Sequence, residues 1–228
     1  MTELVTYRLD AGVATITMDD GKANVMSENM IAAIAAALDR AEADRAVVLL
    51  TGRSRVFSAG YDLATFSRSA DEIRRTLRAG GNLVHRLLGF PYPVVAACPG
   101  HAIAQGAFTL LATDVRFGVA GDYKLGLNEV AIGLTIPHYG VETARQRLTA
   151  PGFDRAAVTG VLVGPEEARE LGFLDVLAAD ADDLRERATT EARRLTGIDF
   201  AAHTGTKLRV RARVLAAVRS GIDAEFGA

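Results

Sequence analysis

The stretch Cys98-Pro-Gly-His-Ala-Ile-Ala-Gln-Gly-Ala-Phe-Thr-Leu-Leu-Ala-Thr-Asp114 decides how the rest of the chain is read. The apolar run before it, Pro93-Val-Val-Ala-Ala97, has the pattern of a fully buried strand. Pro99-Gly100 signals a turn, and small residues through Gly106 lead into Ala107-Phe-Thr-Leu-Leu-Ala112, an apolar helix. A strand, a glycine-containing turn and a helix start leave backbone N–H groups without partners. Those donors and the helix dipole make a seat for negative charge. The same pattern also describes a buried strand-turn-helix whose glycines only permit close packing, so other stretches must decide.

The bulk numbers narrow the field. A chain of 228 residues, 49% hydrophobic and 24% charged, has the composition of one large domain, or a domain with a small appendage, around a sizeable core. Its formal net charge of −2 gives no electrostatic reason to expect nucleic acid or an anionic membrane as partner. Cys98 is the single cysteine, so no disulfide forms within the chain. The start, Met-Thr-Glu-Leu-Val-Thr-Tyr7, lacks the basic and apolar parts of a signal peptide, and no apolar run has the length of a membrane span. The expected location is the cytoplasm.

Outward from the central stretch the pattern is regular. Val5–Leu9 and Val13–Met18 alternate around Asp10-Ala-Gly12, a hairpin. After the loop Asp19–Asn24, Ser27 caps a helix to about Asp44, with Met30, Ile31, Ile34, Leu38 and Ala41 on its apolar stripe. Ala46–Thr51 reads as a buried strand, Val56–Leu63 as an apolar segment bending at small residues, and Ala70 to about Leu88 as a charged helix. Val115–Val119 is a strand, and Tyr123–Val130 ends on an isolated Asn128-Glu129 among apolar residues. Helices follow from Pro137 to about Leu148 and from Phe153 to about Val161. From Ala181 the chain is helical and arginine-rich, with Leu184, Ala188, Ala192 and Leu195 on one face. A last helix runs from about Ile198, with a break expected near Gly205, and it packs either on the core or on a neighbouring subunit. This order predicts a mixed α/β fold of repeated ββα units.

Three segments carry chemistry: Ser58-Ala-Gly-Tyr61, Ala104-Gln-Gly106 and Glu129. Two strand-to-helix turns, each offering a backbone N–H, can converge on one carbonyl oxygen and stabilise an enolate, each donor contributing about 3 kcal/mol. A carboxylate in apolar surroundings has its pKa raised and becomes a base matched to neutral pH. Together they suit proton abstraction beside a thioester.

These segments resemble the enoyl-CoA hydratase/isomerase (crotonase) superfamily from about Leu4 to Leu177. The motifs are Val56-Phe-Ser-Ala-Gly-Tyr-Asp-Leu63, Gly100-His-Ala-Ile-Ala-Gln-Gly106 followed by Asp114, and Leu125-Gly-Leu-Asn-Glu-Val-Ala-Ile-Gly-Leu-Thr-Ile-Pro137. Gly164–Asp175 resembles the family's later element, in which a glycine and two hydrophobic residues precede an aspartate. The resemblance implies a crotonase-like spiral core over 1–177 and a helical oligomerisation region over 178–228, assembling as a homotrimer or dimer of trimers. It implies that the N–H groups of Tyr61 and Gln105 form the oxyanion hole and that Glu129 is the base. At 105 the family usually has glycine, so the Gln105 side chain must point away from the acyl oxygen. Lys22, Ala23, Ala59, Asp62 and Leu63 match regions that meet CoA; Phe108 reads as a core aromatic that can also wall the acyl pocket, and His138 and Tyr139, which follow the base segment, are expected to line it. Asp114 is expected to anchor a strand, and Glu129 has a plainer reading as a capping or salt-bridged carboxylate.

Phe108 is the informative departure. Hydratases of the family carry glutamate there and use two carboxylates to add water, whereas one carboxylate suffices for a 1,3-proton shift. The chain is therefore most similar to the Δ3,Δ2-enoyl-CoA isomerases, with CoA entering as part of the substrate and no metal or redox cofactor implied. Hydration or another acyl-CoA thioester reaction, and inert acyl-CoA binding, stay open as alternatives.

Overall fold

Alternation on either side of Asp10-Ala-Gly12 produces an antiparallel pair, β1 (Val5–Asp10) and β2 (Val13–Met18), with Asp10 opposite Val13. Ala11 and Gly12 take φ of 46° and 77°, the mirror-image turn that matches the twist of a hairpin. The structure, a computed structural model, describes residues 3–227.

From this hairpin the chain winds through repeats of two strands and a helix. Helix α1 (Glu28–Ala43) starts where the Ser27 hydroxyl accepts the Met30 N–H, and it lays Met30, Ile31, Ile34, Leu38 and Ala41 into the core. The next unit is β3 (Val47–Thr51), β4 (Arg55–Ser58) and α2 (Ala70–Gly89). A third is β5 (Val94–Cys98), β6 (Gly100–Ile103) and α3 (Gln105–Leu111), and a fourth is β7 (Val115–Val119), β8 (Leu125–Gly126) and α4 (His138–Arg147). In these last three units the first strand joins the large sheet and the second joins the small one. The orders are β1-β2-β3-β5-β7-β10, with β10 spanning Val176–Ala178, and β4-β6-β8-β9, with β9 spanning Leu162–Val163. Helix α5 (Ala150–Thr159), β9 (Leu162–Val163), α6 (Pro165–Leu171) and β10 (Val176–Ala178) complete the spiral. Helix α5 begins before Phe153 because the Thr149 hydroxyl caps it, accepting the Gly152 N–H.

The small sheet positions the site. Strands β4, β6 and β8 are parallel neighbours, with Ser58 opposite Ala102 and Ile103 opposite Gly126. Their carboxyl ends therefore lie on one edge, where an α/β sheet presents its loops to ligands. Each of the three chemistry-bearing segments leaves from one of those ends.

The terminal helices pack on the core of their own chain. Helix α7 (Ala181–Leu195) buries Leu184, Ala188, Ala192 and Leu195 against Val13, Leu49, Val95 and Phe117 on one face of the large sheet. Helices α8 (Phe200–Val210) and α9 (Ala212–Phe226) follow, and α9 packs against α4 and α2. The break expected near Gly205 falls instead at Arg211, and the reason is tertiary. The Arg211 guanidinium is buried, donating to the Leu88 carbonyl at 2.9 Å and pairing with Asp114 at 2.8 Å. Asp114 also accepts the Val94 N–H and the Lys207 ammonium, so one carboxylate ties strand β5 to both last helices. Burial pushes its pKa up, but Lys207 and Arg211 outweigh that and hold it below the usual range. Among the described residues no helix is long and apolar enough to cross a membrane.

Candidate active site

Two glycines bring the first two loops together. Gly60 follows β4 with φ 87°, and a β-carbon there would stand 2.8 Å from the Ile103 carbonyl oxygen and 2.9 Å from Ala104 Cβ. A β-carbon on Gly106 would overlap the Ser58 carbonyl. The turn after β4 and the turn after β6 are thus pressed against each other, which only glycine permits at these positions. The N–H groups of Tyr61 and Gln105 sit on these facing turns, and neither donates to another described residue. Ala104, with φ 52° and ψ −122°, opens α3 without a side-chain cap, so the first N–H groups of the helix stay available.

The third loop supplies the carboxylate. Leu127 is buried, and Glu129 begins the 3-10 turn Val130–Ile132 with only 7% of its surface exposed. Its Oε2 is buried with no hydrogen-bond partner among the described residues, and its side chain caps nothing. No salt bridge is found to it among the described residues. The capping and salt-bridged readings therefore lose their support. Burial raises its pKa to about 7, so at neutral pH it stands between acid and base.

The Gln105 side chain turns into the protein, as a non-glycine residue at this position must. Its Nε2 donates to the Gly80 carbonyl at 3.1 Å and its Oε1 accepts from the Tyr139 hydroxyl at 2.9 Å. The Tyr61 side chain reaches the same place, with its hydroxyl oxygen 2.8 Å from that of Tyr139. Burial keeps both phenols far above their ordinary pKa. Phe108 is fully buried, its ring edge-on to Tyr139 at 5.9 Å, and a β-carbon on Gly140 would lie 2.6 Å from it. It fills the seam between α3 and α4, and no carboxylate takes its place.

The residues matched to CoA divide. The loop holding Lys22 and Ala23 is pinned to the end of β4: Ala23 accepts the Ala59 N–H at 3.0 Å, and the Ser58 hydroxyl donates to Asn24. Lys22 itself is exposed beside that junction. Asp62 caps the next 3-10 turn by accepting the Ala64 N–H at 3.0 Å, and the side chain of Leu63 lies outside the described residues. His138 is not gathered with them, since its side chain is 67% exposed and faces Glu225 of α9. A cleft of about 700 Å³ between α7 and the large sheet, lined by Arg8, Leu49 and Arg193 among others, contains none of the residues above. Sequence reading missed the contact of the Tyr139 hydroxyl with both Tyr61 and Gln105 and the buried bracing of Asn24. A signal for the first was present in Gly80-Gly81, two helix-weakening residues in the middle of a helix.

The comparisons with known proteins bear on the family and the fold. The family described as enoyl-CoA hydratase/isomerase matches residues 8–225. A Thermus thermophilus protein named as an enoyl-CoA hydratase is 35% identical over 94% of this chain and 84% of its own. A solved structure of a Mycobacterium tuberculosis protein, named an enoyl-CoA isomerase in one structure and a probable enoyl-CoA hydratase in another, superposes with a TM-score of 0.94 at 41–42% identity, covering 98% of this chain and 96–98% of that one. That of human mitochondrial Δ3,Δ2-enoyl-CoA isomerase gives 0.93 at 26% identity, covering 98% of this chain and 89% of that one.

Proposed function

The chain belongs to the enoyl-CoA hydratase/isomerase family, and on that premise we propose that it is a Δ3,Δ2-enoyl-CoA isomerase working with one carboxylate. The thioester oxygen of a 3-enoyl-CoA sits between the Tyr61 and Gln105 N–H groups. Glu129 removes a proton from C2, the electron pair delocalises over the thioester and the double bond, and the two N–H groups stabilise the dienolate oxygen. The protonated Glu129 then returns its proton to C4, leaving the 2-enoyl-CoA and a regenerated base. Atoms balance without water, metal or redox partner. A carboxyl with a pKa of about 7 both accepts and releases a proton readily near neutrality.

The single observation that carries the reading is a buried Glu129 whose Oε2 has no hydrogen-bond partner among the described residues, in a site where position 108 holds a buried phenylalanine. Addition of water needs one group to activate the water and another to deliver a proton, and Phe108 supplies neither. Hydration is the second reading, favoured by the names of several relatives. The proposal extends to a cytoplasmic homotrimer or dimer of trimers, as the sequence resemblance implies. The test is turnover of 3-enoyl-CoA to 2-enoyl-CoA by the wild type and by Glu129→Gln, with hydration of 2-enoyl-CoA run in parallel. Isomerisation lost in the variant, with little hydration by either protein, supports the proposal. Hydration by the wild type replaces it, and acyl-CoA binding with neither reaction would move the protein to the inert class.

A further inference from the structure

The side chains of the two oxyanion-hole residues meet at one hydroxyl. Gln105 Nε2 faces the Gly80 carbonyl, which can only accept, so Oε1 is the atom facing Tyr139. The Tyr139 hydroxyl spends its single proton on Gln105 and must accept from Tyr61. The result is a one-directional chain, Tyr61 to Tyr139 to Gln105 to Gly80, that links the loop after β4 to the loop after β6 through α4 and α2. Helix α2 gives way to admit it: a β-carbon on Gly80 would overlap the Tyr61 hydroxyl and stand 3.0 Å from Gln105 Nε2. One on Gly81 would lie 3.0 Å from the Tyr139 ring. Gly81 also makes room for Ile222 of α9, where a β-carbon would stand 2.8 Å away, whereas at Gly80 the nearest atoms are those of the Tyr61 and Gln105 side chains; each glycine in a helix interior weakens it relative to alanine.

Resting on the isomerase reading, we propose that Tyr139 is a positioning residue. Its hydroxyl holds the side chains of Tyr61 and Gln105 together and thereby sets the separation of their two backbone N–H groups. A hole set to the wrong width still binds the substrate through CoA but stabilises the developing oxyanion less, so the loss falls on kcat rather than KM.

The variant is Tyr139→Phe, which keeps the ring contacts with Phe108 and Phe226 and removes only the hydroxyl. Isomerisation of 3-enoyl-CoA should lose about tenfold or more in kcat with KM changed by no more than about twofold. A second readout uses acetoacetyl-CoA, whose β-ketothioester ionises to an enolate with its own ultraviolet absorbance. Wild type should favour the bound enolate and the variant should not. Tyr61→Phe breaks the same chain from its other end and serves if Tyr139→Phe does not fold. Where both fold, the double variant should be no slower than the worse single within about twofold, because the groups act as one unit. Unchanged kcat, a change confined to KM, or an unchanged enolate signal overturns the proposal. If wild type forms the enolate but does not isomerise, loss of the enolate signal in Tyr139→Phe sustains the positioning role while the isomerase reading falls. A wild type that does neither overturns both.

Discussion

Gly60 faces the backbone nitrogen of Gln105 so closely that an added β-carbon would stand 3.4 Å from it. Two loops forty-five residues apart (105 − 60) are thereby set side by side at the carboxyl ends of neighbouring parallel strands.

Gly60→Ala tests that contact. The new methyl group meets the Ile103 carbonyl at 2.8 Å on a residue whose φ of 87° already disfavours it, so the loops must separate. The expected result is a kcat lower by about a hundredfold, the size of losing one oxyanion donor, with the secondary structure retained by circular dichroism. Wild-type kcat would show that the two turns do not set the hole.

Glu129→Gln should cut isomerisation by about a hundredfold to ten-thousandfold, the contribution of a positioned base. It should also change stability in a pH-dependent way. With a pKa raised from 4.5 to about 7, the folded protein keeps this carboxyl protonated where the unfolded chain has already released its proton. Below pH 4.5 there is no difference, between 4.5 and about 7 wild-type stability falls, and above that the loss of a few kcal/mol is constant. The variant should therefore melt higher than wild type at pH 8 and close to it at pH 4. A variant less stable at pH 8 would mean that the Glu129 carboxylate is held by partners after all.

The same titration governs activity. The kcat/KM of the wild type should rise with pH through about 7 and level off once Glu129 is ionised in the free enzyme. A profile flat from pH 5 to 9 would assign the proton transfer elsewhere.

Phe108→Glu puts a carboxyl where hydratases of the family carry one. In this chain the position is sealed between Tyr139 and Gly140, so an unpaired charge would be buried in the seam of α3 and α4. The variant should lose several kcal/mol in denaturant unfolding and gain no hydration. Measurable hydration by a stable variant would show that the seam opens towards the substrate.

Asp114→Asn leaves Lys207 and Arg211 buried without their counter-charge, a loss of about 3–5 kcal/mol that thermal unfolding would register. Because the folded pKa of Asp114 is depressed, its contribution is present above pH 3.8 and disappears as pH falls through the lower folded value. Wild type and variant should converge under acid, and a constant gap would place the effect on shape rather than charge.

Much of this was readable in the chain because the signals are local. Alternation in Val13–Met18, the stripe on α1 and the four buried positions of α7 each depend only on the period of the backbone. The family resemblance carried by three loop motifs pointed to Tyr61, Gln105 and Glu129 together. His138 followed the base in sequence but stands at the surface, because α4 turns its first side chain towards α9.

The sequence by itself determined the alternation of β1 and β2, the apolar stripes of α1 and α7, and the loop motifs that resemble the enoyl-CoA hydratase/isomerase family, with Phe108 where its hydratases carry glutamate. Each of those is read from residues close together in the chain, without a distant partner. Only the tertiary structure decided that Gln105 points at Tyr139, that Arg211 rather than Gly205 divides the last helices, and that Glu129 Oε2 is buried without a hydrogen-bond partner among the described residues. Each of those depends on burial and on groups far away along the chain, and an ionisable or amide side chain takes its direction and its proton from what surrounds it.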